Sequence, residues 1–309
     1  MSSRVDGLDG LRPLLGEIND AKRVHAAGCA TSLSGRAFAR SWAALLAGEP
    51  PGRVARFEAA AAVASARLGA TDAAVLLDAG LGPTEVRGVL RGAIRAAAGG
   101  ALDPAEVAGL LDAVDGLPDY AGRFPEAAPV PSWVSALAAQ PRAGATRPGY
   151  PRLILEPPES HAEHCHTTAV YAALVAPRFG ATPAGPFLAG LAHHLHNAYL
   201  PDSGFAGEEL LGEHLAPVVE RLTARAMAEL PGPLAEAVAD ARGLLPHAET
   251  PEARAFHAAD VLDRVLQMDQ YARVAAFELR HALDDLDLVH PGPLQAFQLG
   301  VLAAAGLVP

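Results

Sequence analysis

The chain has 309 residues, of which half are apolar and 5% are aromatic, and its formal charge is −11. This length suggests two domains, and the composition supplies enough apolar surface for a buried core. The acidic balance, with no stretch rich in Lys and Arg, argues against a protein that binds the backbone of DNA or RNA. A small anionic substrate stays open, because a bound metal ion can supply positive charge locally.

Cysteine usage and the N-terminal residues indicate the compartment. Cys29 and Cys165 lie far apart in the sequence and predict no disulfide framework. The first 20 residues lack a basic stretch followed by an apolar core, so they do not resemble a signal peptide. No apolar run is long enough to span a membrane. We therefore expect a cytoplasmic protein that binds neither membranes nor nucleic acids.

Helical patterns fill residues 1–130, where strand patterns of period two are nearly absent. Apolar residues recur with helical spacing over 37–46. Asp72 is a typical N-cap for a short helix, and Pro83 and Pro104 are typical first residues of two more. The sequence thus predicts a smaller helical N-terminal domain over these residues.

A proline-rich stretch separates this domain from longer helices. The linker is placed at 131–146, with a short helix over 132–139. The second domain, 147–309, is predicted to be a helical bundle, so the fold class is all-α. Its predicted helices are 159–178, 184–198, 208–229, 232–243, 251–287 and 292–305.

The second half is rich in histidine. His161 and His164 are three residues apart, so they share one face of a predicted helix. His193, His194 and His196 follow in the next predicted helix. Adjacent side chains on a regular helix point about 100° apart. His193 and His194 would therefore rarely bind one ion together through ordinary helix geometry.

Carboxylates accompany these histidines. Asp202 follows the second helix, and His257, Asp260 and Asp263 form one stripe of a later helix at spacings of three. Imidazoles and carboxylates that project from several helices into a bundle centre suit a divalent transition metal. We expect Mn, Fe, Co, Ni or Zn.

The segment RPGYPRLILEPPESHAEH, which begins at Arg147, resembles the opening of the HD-domain 5′-deoxynucleotidase group. That group reads Arg-x-Gly-Trp, then a spacer, then Pro-Glu-Ser-x-Ala-Glu/Asp-His. Arg147, Gly149 and Tyr150 match the first part, and PESHAEH, which ends at His164, matches the second. The final His of this motif is a metal ligand in the group.

Two later segments continue the resemblance. The group's second signature is a His-Asp pair, an acid three residues after that Asp, and another Asp five residues further. The matching positions here are His193, His194, Asn197 and Asp202. The third signature, Asp-Lys-Leu-Glu-x-x-Leu-Gln-x-x-Glu-Tyr, is matched by DVLDRVLQMDQY, which begins at Asp260.

The resemblance covers about 125 residues and implies an HD-type metal site. The metal ligands it implies are His164, His193, His194 and Asp260. The catalytic residues it implies are Asp202, as the base, with Asn197 and Glu163. Further residues expected to line the pocket or orient a ligand are His161, His196, His257, Asp263 and Arg147.

Two positions depart from the group. His194 stands where the group has the Asp of its pair, and this exchange removes a negative charge, which would make a bound ion a stronger Lewis acid. Asn197 stands where the group has an acid, and a neutral amide can neither take nor give a proton.

Three functions stay open at this level. The first is metal-dependent hydrolysis of a phosphate monoester of a nucleotide or another small metabolite, which the resemblance implies. The second is a non-hydrolytic metalloenzyme, with iron-type oxidation or lyase chemistry, which an imidazole-rich site suits. The third is a catalytically silent binding protein. The N-terminal domain could be a lid, a dimerisation surface, a docking module or a plain scaffold, so a homodimer is compatible with the sequence.

Overall fold

The computed structural model describes residues 8–125, 128–275, 283, 289 and 295–304. About 71% of the chain is helical and no sheet forms among the described residues, which confirms the all-α fold class. Within this part of the chain, no helix combines the length and the apolar character that crossing a bilayer requires.

The helices before residue 140 follow local sequence signals. They are α1 (Arg12–Asn19), α2 (Leu33–Leu46), α3 (Pro51–Leu68), α4 (Ala73–Asp78), α5 (Pro83–Ala98), α6 (Pro104–Ala113), α7 (Leu117–Arg123) and α8 (Ser132–Ala139). The carboxylate of Asp72 accepts a hydrogen bond from the Val75 backbone N–H at 3.0 Å, so Asp72 is the N-cap of α4. Pro83 and Pro104 are the first residues of α5 and α6, as predicted.

Seven more α-helices follow residue 160 in the described part of the chain. They are α9 (His161–Val175), α10 (Ala184–Ala192), α11 (Gly204–Leu211), α12 (Leu215–Met227), α13 (Gly232–Arg242), α14 (Pro251–Ala275) and α15 (Gln295–Ala304). The single helix predicted over 208–229 is wrong, because the chain leaves α11 at Gly212, where φ is +50°, and begins α12 at Leu215. Helix α14 was predicted to continue to residue 287, and residues 276–282 and 284–287 lie outside the described residues.

The chain divides into two compact units, Met1–Leu266 and Gln267–Pro309, and the boundary falls within α14. In the second unit, the Gln267 amide donates to the Tyr271 hydroxyl at 3.3 Å. The first unit has one continuous apolar core. The domain boundary predicted at residue 130 therefore does not coincide with the boundary between the compact units.

Helix α9 lies at the centre of the first unit, because all of its residues are buried. Helices α2, α3, α8 and α10 all pack against it. The rings of Trp42, from α2, and Trp133, from α8, meet edge to face with centroids 4.8 Å apart. The apolar faces of the predicted N-terminal domain are thus covered by the helix that carries His161 and His164.

The proline-rich segment after α8 folds back beside the start of α9. Ala145 and Leu153 exchange two backbone hydrogen bonds, of 3.0 and 2.9 Å, and the Arg142 N–H donates to the Glu159 carbonyl at 2.8 Å. Gly144 has φ of +75°, and a Cβ there would lie 2.2 Å from the Leu153 carbonyl oxygen. This glycine permits the close approach that holds Arg142 beside α9.

A buried ion pair ties α9 to the N-terminal helices. Glu58, on α3, is fully buried and accepts hydrogen bonds from the Arg40 guanidinium at 2.9 and 2.7 Å and from the Tyr120 hydroxyl at 2.7 Å. His166, on α9, lies 3.3 Å from the same carboxylate. Burial alone would raise the pKa of Glu58, but Arg40 and His166 outweigh it and lower the pKa to about 2.

We predict that Glu58→Ala lowers the free energy of unfolding at pH 7 by about 3–5 kcal/mol, because Arg40 and Tyr120 lose their acceptor in the core. Urea denaturation measures this difference. Glu236→Ala, at an exposed position of α13, is the control and should change stability by less than about 0.5 kcal/mol.

The sign of the pH dependence follows from the lowered pKa of Glu58. Its contribution is fully present above the ordinary carboxyl pKa of 4.5 and is lost as the pH falls through about 2. The stability difference between wild type and Glu58→Ala should therefore be smaller at pH 3 than at pH 7. A difference that is the same at both pH values would contradict an ionised Glu58 in the core.

Candidate metal centre

The candidate centre is built where α10 crosses α9. A Cβ at Gly190 would lie 2.5 Å from the Cα of Ala169, so the two helix backbones approach as closely as glycine allows. His164 lies on α9, and His193 follows the last residue of α10. Their Nε2 atoms are 3.0 Å apart. The close crossing therefore sets the separation of the two imidazoles.

His193 and His194 do not lie on one regular helix. Helix α10 ends at Ala192, and His194 has φ of −109° and ψ of 23°, outside the helical range. The predicted helix over 184–198 is wrong here, because the chain turns at these residues and then forms a 3-10 turn, Leu195–Ala198. The turn brings the two rings together, with centroids 4.2 Å apart. No proline or glycine marks this helix end in the sequence.

Each of the three imidazoles presents its Nδ1 atom to an oxygen acceptor. The pairs are His164 with the Asp263 carboxylate at 2.6 Å, His193 with the Gly190 carbonyl at 2.7 Å, and His194 with the Asn197 amide oxygen at 2.8 Å. Because Nδ1 must carry the proton to donate, each Nε2 atom keeps a free lone pair. Oxygen acceptors of this kind fix the ring orientation of metal-binding histidines.

Asp260 adds a carboxylate beside two of these imidazoles. Its Oδ1 atom lies 3.4 Å from Nε2 of His164 and 4.0 Å from Nε2 of His193. In the plane of these three atoms, Nε2 of His164, Nε2 of His193 and Oδ1 of Asp260, one point is equally distant from all of them. It lies about 2.1 Å from each atom, which is the length of a Zn–N or Zn–O bond. Ligand atoms of His164, His193 and His194 also lie within 4.8 Å of one another. These residues fit a divalent transition metal.

The protonation states of His193 and His194 also favour metal binding. Burial lowers the pKa of His193 to about 3 and the pKa of His194 well below its ordinary value. Both imidazoles are therefore neutral at pH 7, which is the form that binds a metal. The pKa of Asp260 is lowered below its ordinary value despite burial, and the Arg264 guanidinium lies 3.2 Å from its Oδ2 atom, so the carboxylate is ionised.

A buried ion pair holds Asp263, the hydrogen-bond acceptor of His164, in place. Asp263 is fully buried, and it accepts hydrogen bonds from the Lys22 ammonium at 2.6 Å and from the Asn19 amide at 3.3 Å. Lys22 also donates to Glu159 at 2.5 Å. Burial would lower the pKa of Lys22, but the two carboxylates raise it. Lys22 is thus the cation between these carboxylates, and nothing in the sequence around it indicated this role.

Two residues expected to be catalytic, Glu163 and Asn197, have hydrogen-bond partners within the protein. Both carboxylate oxygens of Glu163 are engaged, one by the Ser160 backbone N–H at 2.7 Å and one by the Ser32 hydroxyl at 2.5 Å. Glu163 therefore completes the capping box at the start of α9. Asn197 accepts from His194 and donates to the Leu200 carbonyl at 3.1 Å, so it orients an imidazole.

Asp202 and His161 lie beside the imidazole cluster. The oxygens of Asp202 accept backbone N–H groups of Ala143 at 2.9 Å and Gly204 at 2.8 Å. Burial would raise the pKa of Asp202, but these hydrogen bonds lower it. Nε2 of His161 is 3.8 Å from Oδ2 of Asp202, and its ring centroid is 4.9 Å from that of His194.

The other three residues expected to line the pocket, His196, His257 and Arg147, have different surroundings. The His196 ring lies 5.8 Å from that of His194. Nε2 of His257 lies 3.0 Å from the His247 carbonyl, so this side chain is engaged elsewhere. Arg147 is exposed, and its guanidinium lies 4.6 Å above the Tyr150 ring. Arg142, which the sequence did not single out, directly precedes Ala143, whose backbone N–H donates to Asp202 at 2.9 Å.

Comparisons of the chain with protein-family models, with curated proteins and with solved structures found no match. The resemblance to the HD-domain group therefore stays a hypothesis. The case for a metal centre rests on the donor atoms, their separations and the acceptors that hold them.

We predict that Asn197→Leu weakens metal binding by about 10- to 100-fold, because His194 loses the acceptor that fixes its ring. Competition between the protein and a chelating dye for Co²⁺ measures the affinity. Asn197→Asp is the matched variant: it keeps an oxygen at the same place and should bind Co²⁺ at least as tightly as the wild type. Unchanged affinity in Asn197→Leu would show that His194 does not bind the ion.

Proposed function

We propose that this protein is a metal-dependent hydrolase that acts on a phosphate monoester of a nucleotide or another small metabolite. The supporting observation is the cluster of the His164, His193 and His194 imidazoles, with the Asp260 carboxylate 3.4 and 4.0 Å from the first two. Imidazole and carboxylate donors in such numbers are typical of catalytic sites for a divalent transition metal. The resemblance to the HD-domain group supports the same reaction class.

A divalent ion held by these residues would supply Lewis-acid activation of a water molecule and of a phosphoryl oxygen. Asp260 lies at the partly exposed side of the cluster, with its side chain 20% exposed, whereas His164 is fully buried. A substrate can therefore approach from the side of Asp260 and His194, and the interior imidazoles stay shielded from water.

Asp202 is the carboxylate best placed to orient a water molecule. It is ionised at neutral pH, because the backbone N–H groups of Ala143 and Gly204 lower its pKa. The same hydrogen bonds hold the group in one position. A carboxylate with a lowered pKa is a weak base, so Asp202 accepts a hydrogen bond from water rather than removing its proton completely.

A second function is favoured by the His194–Asn197 pair. Both positions carry an acid in the HD-domain group, and here two neutral side chains hydrogen-bond to each other at 2.8 Å. The site therefore has fewer carboxylates for acid–base chemistry and more nitrogen donors. Such a site suits iron-type oxidation or lyase chemistry on a small metabolite.

The hydrolase proposal predicts phosphate release that depends on an added divalent ion. A panel of small phosphate monoesters, assayed with Mn²⁺, Co²⁺, Ni²⁺ or Zn²⁺, should reveal at least one substrate. Asp260→Asn should lower that activity by at least about 100-fold, because even residues behind a metal ligand are worth about 10- to 100-fold. Asp240→Asn, at an exposed position of α13, is the control and should keep wild-type activity. No release from any ester by metal-loaded wild type would refute the proposal.

His194→Asp separates the two functions. If the natural site is a hydrolase, this change should lower phosphate release, because the shorter carboxylate leaves Asn197 without its donor. Elemental analysis of the purified protein accompanies the assay. Higher phosphatase activity in His194→Asp, together with iron in the wild type, would favour the second function.

A further inference from the structure

Unpaired polar atoms collect beside the metal centre. Among the described residues, nine buried side-chain nitrogen and oxygen atoms have no hydrogen-bond partner, and four of them belong to Arg142, His161 and His196. Buried polar groups are normally paired, so a concentration of unpaired ones next to a candidate active site indicates groups that a ligand satisfies.

His161 is the clearest case. It is the first residue of α9, and its side chain is fully buried, with neither ring nitrogen in a hydrogen bond. The separation of 3.8 Å from Asp202 is too long for a direct hydrogen bond. The ring lies next to His194 and one helical turn before His164. An unpaired imidazole in this position has an N–H group available to a ligand at the metal centre.

Arg142 is the positively charged side chain among these unpaired groups. Its Nη1 atom is buried without a hydrogen bond and lies 3.7 Å from Oε2 of Glu159. The other oxygen of that carboxylate accepts from Lys22 at 2.5 Å. The backbone places Arg142 beside His161, because the N–H of His161 donates to the Gln140 carbonyl at 3.0 Å and the N–H of Ala143 donates to Asp202 at 2.9 Å. A guanidinium that has a buried unpaired nitrogen, and that is only loosely paired with a carboxylate, is suited to an incoming anion.

We infer that Arg142 and His161 form an oxyanion subsite beside the metal centre, which binds the phosphoryl oxygens of the substrate that face away from the metal ligands. This inference rests on the proposed function. Guanidinium N–H groups match the spacing of phosphate oxygens, and an imidazole N–H adds one more donor. The subsite selects a compact tetrahedral oxyanion, that is, a phosphate monoester or the inorganic phosphate released from it.

Binding of inorganic phosphate to the Co²⁺-loaded protein, measured by isothermal titration calorimetry, tests the subsite without any turnover. Arg142→Gln should weaken phosphate binding at least 10-fold and leave Co²⁺ affinity unchanged. Arg221→Gln is the matched control, because Arg221 is an exposed arginine on α12, away from the residues of the metal centre. It should bind phosphate like the wild type. Wild-type phosphate binding in Arg142→Gln, or an equal loss of Co²⁺ affinity, would overturn the inference.

His161 provides a second variant pair, which tests the donor with less change in charge. His161→Leu should weaken phosphate binding several-fold, and His161→Gln, which keeps an N–H donor, should restore part of it. Equal phosphate affinity in both variants and the wild type would contradict a role for His161.

The two proposals fail separately. The wild type could release no phosphate from any ester and still bind inorganic phosphate in a manner that depends on Arg142. That result would contradict the hydrolase proposal and support the subsite. Conversely, an ester could be hydrolysed with the same KM by the wild type and by Arg142→Gln, with phosphate binding also unchanged. That result would support the hydrolase proposal and contradict the subsite.

Discussion

The contact between Gly190 and Ala169 is the constraint on which the site depends. Any side chain at residue 190 would meet the backbone of α9 at 2.5 Å, so the two helices could not stay this close. The separation of 3.0 Å between the imidazoles of His164 and His193 follows from that approach. The Gly190 carbonyl also accepts the Nδ1–H of His193. One glycine therefore sets both the spacing of the donor atoms and the tautomer of one of them.

Features encoded by local sequence could be predicted. Asp72 caps α4, and Pro83 and Pro104 begin α5 and α6, because capping and the fixed φ of proline act within one helical turn. The spacing of the histidines and Asp260 also indicated donors on facing helices, and the structure brings them together. The pattern could not indicate where α10 ends, because His193 and His194 leave the helix without a proline or glycine.

Contacts between distant segments could not be predicted. Lys22 and Asn19 reach Asp263, and Arg142 reaches the start of α9, through the tertiary packing of the whole unit. Glu163, a motif position expected to be catalytic, closes the capping box at the start of α9. The neutral His194–Asn197 pair keeps the geometry of a donor and its acceptor while lowering the negative charge around the ion. The chemistry of the site therefore depends on charge as much as on shape.

The salt bridge between Lys22 and Asp263 joins residues that are 241 positions apart in the chain. The ribosome synthesises Lys22 long before Asp263. The salt bridge between them can therefore form only after nearly the whole first unit has been synthesised. Contacts with such a large sequence separation form late and slow the folding of a domain. The segment that carries Asp263 thus neutralises the charge of Lys22 and orients His164, so the imidazole cluster becomes complete only when nearly the whole first unit has been synthesised.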